Sequence, residues 1–177
     1  LQVPHHLSLV PNSSEDYLLF MWVHLKRLPQ SGARQIFLSK FDAKNRQGFS
    51  LGLTRENDTL RPIMFWKTAE GPGRWYLFSE LEIIWRKWFL IVISIHRGRS
   101  LGLYLAQDGE KTRIDLLGGY DVETQGNLGT ESPLTLGAMS QSGFRGSIGP
   151  FGVFSARRFA RETKSIVKDL VRNPAAV

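Results

Sequence analysis

The sequence predicts an all-β fold, a two-sheet antiparallel jelly-roll sandwich with a C-terminal α-helix, and three observations carry that expectation. Short runs with period-two alternation dominate, separated about every 8 to 12 residues by turn signals. Two runs, Tyr17 to Leu25 and Trp88 to Ile95, are apolar on both faces, as strands are when they lie between a second sheet and a covering loop or a third layer. Helical periodicity appears only at the end of the chain. The 177 residues suit one domain, with residues 1–155 as the sandwich and 156–172 as a basic amphipathic helix packed on it.

In chain order, Tyr17 to Leu25 reads as a central strand and Gln35 to Phe41 as its successor. Phe49, Leu51 and Leu53 then alternate with Ser50, Gly52 and Thr54, which gives one buried face and one of small side chains. Leu60 to Lys67 follows, with Pro62 marking an edge or a bulge because proline cannot donate to a ladder. Arg74 to Ser79 and Trp88 to Ile95 are the next strands, and His96-Arg97-Gly98-Arg99 reads as a hairpin turn. Leu101, Leu103 and Leu105 alternate with Gly102, Tyr104 and Ala106. Polar residues and five glycines make Asp108 to Ser132 a long loop region with a short strand at Thr112 to Leu117. Pro133 to Ala138 and Phe144 to Phe154 complete the sheets. Ser155 is placed to cap a helix from Ala156 to Arg172, with Phe159, Ile166, Val167, Leu170 and Val171 on one stripe and Pro174 beyond its end.

Composition excludes several classes. With no cysteine, disulfide stapling, thiolate metal sites and cysteine nucleophiles are ruled out. The longest uncharged apolar run, Trp88 to Ile95, is far shorter than the roughly 20 residues that a membrane-spanning helix needs. The formal charge of +7 is concentrated at the end, where Arg157, Arg158, Arg161, Lys164, Lys168 and Arg172 mark the expected helix. Such a helix is first of all a solvated face, and secondarily a surface for anionic glycans or membranes. The chain starts at Leu1 rather than Met, so it is expected to be a piece of a longer, multidomain protein.

The reactive motifs are weak. Gly48-Phe49-Ser50-Leu51-Gly52 has the spacing of a hydrolase nucleophile, but its serine lies inside an alternating strand with no helix after it. Glu80 and Glu82 fall on one face about 7 Å apart, a glycosidase-like separation that ordinary surface carboxylates share. His5, His6, His24 and His96 lack metal-ligand spacing. Asp42 with Asn45, or Asn57 with Asp58, offers oxygen ligands to calcium, although such residues more often build turns. Gly143, Gly146, Gly149 and Gly152 fall every third residue and read as bulges or close strand crossings. Neither a phosphate-binding glycine loop nor an aromatic-basic RNA signature is present, so nucleic acid is not expected as a partner.

Several stretches resemble the laminin G-like branch of the concanavalin A-like lectin/glucanase superfamily: Leu1-Gln2-Val3-Pro4 leading to Ser8-Leu9; Tyr17 to Val23 ending in Trp22-Val23; and Phe37-Leu38-Ser39-Lys40 with Gly48-Phe49-Ser50-Leu51. Trp88 before a hairpin and Leu101-Gly102-Leu103-Tyr104-Leu105 extend the likeness, and Leu134-Thr135-Leu136-Gly137 with Phe144-Arg145-Gly146-Ser147-Ile148 closes it. The sequence departs from the family at Gly149-Pro150, where an acidic pair is usual, and residues 80–85 lack the glucanase carboxylate pattern.

The resemblance implies a concanavalin A-like sandwich and a non-catalytic binding module for a glycan or a protein partner, outside the cell or at its surface. Carbohydrate is the first expectation, because sugars are held by aromatic faces with flanking polar groups. Trp66, Trp75, Tyr76 and Tyr120 lie in or beside loops, and Arg74 and Arg99 add hydrogen bonds or select an anionic sugar. Trp22, Trp85 and Trp88 are assigned to the core. Small residues at Ser50, Gly52, Thr54, Gly102 and Ala106 would form a shallow trough if their strands were neighbours. The other expectation is a protein-interaction or structural domain docking through the basic helix; no cofactor is required, calcium being the one candidate.

Overall fold

The computed structural model describes residues 1–4, 16–69, 71–78, 86–96, 100–107, 114–120, 130–137, 144–156 and 163–172. Eleven strands and one helix lie among them: β1 (Gln2–Val3), β2 (Asp16–Leu25), β3 (Arg34–Asp42), β4 (Gln47–Glu56), β5 (Thr59–Lys67), β6 (Arg74–Leu77), β7 (Trp88–His96), β8 (Ser100–Gln107), β9 (Ile114–Tyr120), β10 (Leu134–Leu136), β11 (Gly146–Ala156) and α1 (Thr163–Arg172). They form a six-stranded sheet in the order β1-β10-β3-β4-β5-β6 and a five-stranded sheet in the order β11-β2-β7-β8-β9. Every pairing is antiparallel. The expected sandwich is what the chain forms.

The hydrophobic core lies between the sheets and follows from strand alternation. Leu19, Met21 and Val23 of β2 and Ile91, Ile93 and Ile95 of β7 face Leu51 and Leu53 of β4 and Met64 and Trp66 of β5. The other face of β2 and β7 carries Leu18, Phe20, Trp22, Leu90 and Val92, and Leu170 of α1 is buried among them with Ile166 beside it. Of the two covers that the two-faced apolar runs left open, a loop or a third layer, α1 supplies the third layer. Trp22 and Trp88 belong to this second cluster, Trp88 being only partly buried; Trp85 lies outside the described residues.

Several boundaries differ from expectation. Ser155 and Ala156 do not begin a helix: they continue β11, paired with Tyr17 and Asp16 of β2, and the described helix starts at Thr163. Ladder pairing competes with local capping and prevails there. The strand expected at Thr112 to Leu117 lies further along, with Gly118, Gly119 and Tyr120 inside it. β4 is buried on both faces, since Gly52 and Thr54 are as shielded as Leu51 and Leu53. Glu80, Glu82, His5, His6 and the turn at 97–99 fall outside the described residues.

Prolines and polar turns sit where ladders end. Pro62 carbonyl accepts a hydrogen bond from the Phe78 amide just past the end of β6, so its missing N–H falls where the ladder has finished. Gly149 and Pro150 together oppose Trp22, forming a bulge between the pairs Ile148–Val23 and Phe151–Met21. This accounts for their presence where the resembled family has an acidic pair. Asn57 and Asp58 both have positive φ (48° and 66°) and join β4 to β5 as a type I′ turn. Asp42 Oδ1 accepts from the amides of Lys44 and Asn45 at 2.8 and 3.1 Å, and those bonds, the one from Asn45 foremost, hold its carboxyl below the ordinary range.

Two buried titratable groups give the fold a pH signature. Lys40 is fully buried on the inner side of β3, its Nζ donating to the Ser132 carbonyl at 2.5 Å, and desolvation lowers its pKa. Tyr17 is 1% exposed and desolvation raises its phenol pKa. Between the lowered Lys40 pKa and the unfolded value near 10.4, the unfolded chain binds more protons, so stability increases with pH. Above about 10 the unfolded chain loses the Tyr17 proton that the folded chain keeps, so stability decreases. Urea midpoints between pH 7 and 11 should therefore rise and then fall, and Lys40→Met should flatten the rising limb. A midpoint already falling between pH 8 and 10 would contradict this.

Candidate functional site

Strand alternation sorts the residues that the sequence singled out. On β6, Trp75 pairs with Phe65 and points away from the core, whereas Trp66 pairs with Arg74 and Tyr76 follows on the inner side. Trp66 is thus no loop platform. It is 4% exposed on β5 and stacks on Phe49 at 6.1 Å. Tyr76 is half-buried against the core, where burial raises its phenol pKa and the nearby Arg74 charge works against that shift. Arg74 is exposed at the start of β6. Tyr120 ends β9, in a strand rather than a loop, paired with Leu101 in the other sheet. Arg99 lies outside the described residues. Among those of the six whose side chains are described, Trp75, at 41% exposed, is the open aromatic.

Around Trp75 the outer face of the six-stranded sheet brings together residues that sequence reasoning missed. Register aligns Gln2, Thr135, Ser39, Ser50, Phe65 and Trp75 in one row across six strands. Ser39 and Ser50 share a hydrogen bond at 2.7 Å between their hydroxyls. Phe65 lies against Trp75 at 5.2 Å and against Phe41 at 5.5 Å, which continues the aromatic surface from β6 back to β3. Gly73 makes room for it, since a Cβ there would stand 2.7 Å from Phe65. Arg34, exposed at the start of β3, places its guanidinium carbon 4.3 Å over the Trp75 ring. Arg61 and Lys67 of β5 share this face with them.

The predicted trough is half present. Ser50, Gly52 and Thr54 do lie on this face, but Gly102 and Ala106 belong to β8 in the other sheet, and Ala106 packs into the cluster under α1. Gly52 is not an open floor either, because a Cβ would stand 2.3 Å from the Gln35 carbonyl and 2.8 Å from Ile36 Cδ1. A bulky substitution there would disrupt β3 and β4 instead of merely filling a site. Ser50, the motif serine, sits mid-strand with no helix following. Among the described residues no group of three His, Asp or Glu side chains converges on a metal position. His24 Nε2 lies 3.0 Å from the Arg86 carbonyl oxygen, and His96 Nδ1 lies 3.1 Å from Asp16 Oδ2.

A concavity of about 390 Å³ opens between β10 and β11, lined by Leu1, Leu136, Phe144, Ile148, Phe151 and three glycines. Its side chains are all apolar and the polar part of its wall is main chain, whereas the Trp75 face combines an aromatic ring, hydroxyls and guanidinium groups. The latter can stack on one face of a flat, partly apolar ligand and hydrogen-bond its polar rim.

No family model matches the sequence, and no curated protein matches it. Solved structures do. The binding domain of Paraclostridial Mosquitocidal Protein 1 superposes with a TM-score of 0.70 at 16% identity over 98% of this chain and 40% of that one. The binding domain of botulinum neurotoxin serotype G gives 0.63 at 14% identity, covering 94% of this chain and 39% of that one. The CBM40 of Ruminococcus gnavus IT-sialidase, solved with α2,3-sialyllactose, gives 0.53 at 14% identity, covering 81% and 76%. The chain thus spans well under half the length of the two toxin binding domains. No helix among the described residues is long and apolar enough to cross a membrane. At these identities the likeness establishes the architecture alone: the chain is a two-sheet antiparallel β-sandwich.

Proposed function

We propose that the domain is a non-catalytic binding module that takes a carbohydrate on the outer face of its six-stranded sheet. The observation that carries this reading is Trp75, a large aromatic left 41% exposed beside Phe65 in a row that continues into the half-buried hydroxyls of Ser50 and Thr135, with the Ser39 hydroxyl buried between them and bonded to Ser50. A pyranose presents C–H groups on its faces and hydroxyls around its rim, which is the pattern this row complements. Arg74, exposed at the start of the same edge strand, pairs with Trp66 and so has the opposite phase to Trp75; the donors on the Trp75 face are those of Arg34 and Lys67. The sialyllactose-bound CBM40 shares the fold and supports a sugar as ligand. The order of strand motifs favours the laminin G-like branch within that fold. A domain that reads sugars is placed outside the cell or at its surface, where glycans are displayed.

A glycan array probed at low and high salt tests the reading. Binding to defined saccharides is expected, and it should survive a chelator, since no metal is assigned to the face. Absence of binding across the array, with a protein captured instead through α1, would overturn it.

A further inference from the structure

Resting on the reading of that face as a saccharide site, the geometry around Trp75 also points to the class of saccharide. Arg34 is on β3 and Trp75 on β6, with β4 and β5 between them. For the guanidinium to lie 4.3 Å over the indole, the side chain must stretch across the sheet above the Gly52 and Ile63 row. Gly52 has no side chain to obstruct it. A neutral pyranose stacking on Trp75 competes with this guanidinium for the ring and offers it only weak hydrogen bonds in exchange. A carboxylate or sulfate offers a planar pair of acceptors that matches the guanidinium fork.

We propose that Arg34 is a specificity-determining residue that makes the face selective for saccharides carrying a carboxylate or sulfate. Its surroundings agree. Arg61 pairs across Thr54 in the row of Arg34, Lys67 lies further along β5, and among the described strand residues of this face Glu56, at the far hairpin, is the one acid.

Titration calorimetry tests the proposal with wild type, Arg34→Ala and Arg34→Lys against α2,3-sialyllactose (a carboxylate), a heparin-derived tetrasaccharide (sulfates), and lactose and cellotetraose (neutral). Wild type should bind one acidic probe at least about tenfold more tightly than the neutral ones. Arg34→Ala should lose about tenfold toward that probe and gain toward a neutral one, because the ring is uncovered. Arg34→Lys, which keeps charge without the planar fork, should fall between them. Which acidic probe responds separates carboxylate from sulfate recognition. Equal neutral and acidic affinity in wild type, or acidic binding untouched by Arg34→Ala, overturns the selectivity while leaving the face as a sugar site. No binding of any probe by wild type or by Arg34→Ala overturns the reading of the face itself. Arg34 is exposed at a strand end, so both variants should keep the wild-type urea midpoint, which is measured alongside.

Discussion

Replacing Trp75 by alanine is expected to weaken saccharide binding by about thirtyfold or more, equivalent to about 2 kcal/mol, because buried aromatic anchors dominate interfaces of this kind. The same change should cost the fold less than about 1 kcal/mol, since the ring is 41% exposed on an edge strand and supports little of the core. Trp66→Ala is the counterpart. It removes a side chain 4% exposed between the sheets and should cost about 3–5 kcal/mol of stability. Affinity loss at residue 75 with stability loss at residue 66 is the expected pair, read by calorimetry and urea denaturation. If Trp75→Ala left binding intact, the outer face would not be the site.

Gly48→Ala is expected to destabilise the domain by about 3 kcal/mol or more, lowering the melting temperature by roughly 10 °C. Gly48 has φ of 128°, and a Cβ there would stand 2.1 Å from the Lys40 carbonyl oxygen, a backbone atom that cannot step aside. Gly137→Ala supplies the control. Its φ is 85°, but the nearest atom to a Cβ is Ile148 Cδ1 at 4.0 Å, so only the conformational cost of about 1 kcal/mol should appear. The difference between the two isolates the steric term at the β3–β4 crossing, beside Phe41 and Lys67 of the candidate face. Equal costs would show that β3 and β4 approach less closely than described.

How much of this was legible in the sequence depends on how local each signal is. The alternation of Phe49, Leu51 and Leu53, and the two-faced runs of β2 and β7, are properties of neighbouring residues, so the sandwich and its third layer could be anticipated. Alternation also gives faces, but only once the phase of a strand is known. Trp66 and Trp75 both flank the Gly71-Pro72-Gly73 turn and look alike in sequence, yet one residue of phase sends the first inward and the second outward. Ser155 carries a good local capping signal, which the ladder with Tyr17 overrides. Arg34 left no signal. An arginine at a strand start reads as ordinary surface charge, and its place over Trp75 follows from three inter-strand registers that no local pattern encodes.

The claim on which the rest depends is that the outer face of the six-stranded sheet receives the ligand. Amide and side-chain NMR shifts followed during titration with a saccharide that the array identifies test it most directly. The largest changes should fall on Arg34, Ser39, Ser50, Phe65 and Trp75, with the Trp75 indole N–H among them. Changes confined instead to β2, β7 and α1, or to the cavity by Phe144 and Phe151, would contradict it.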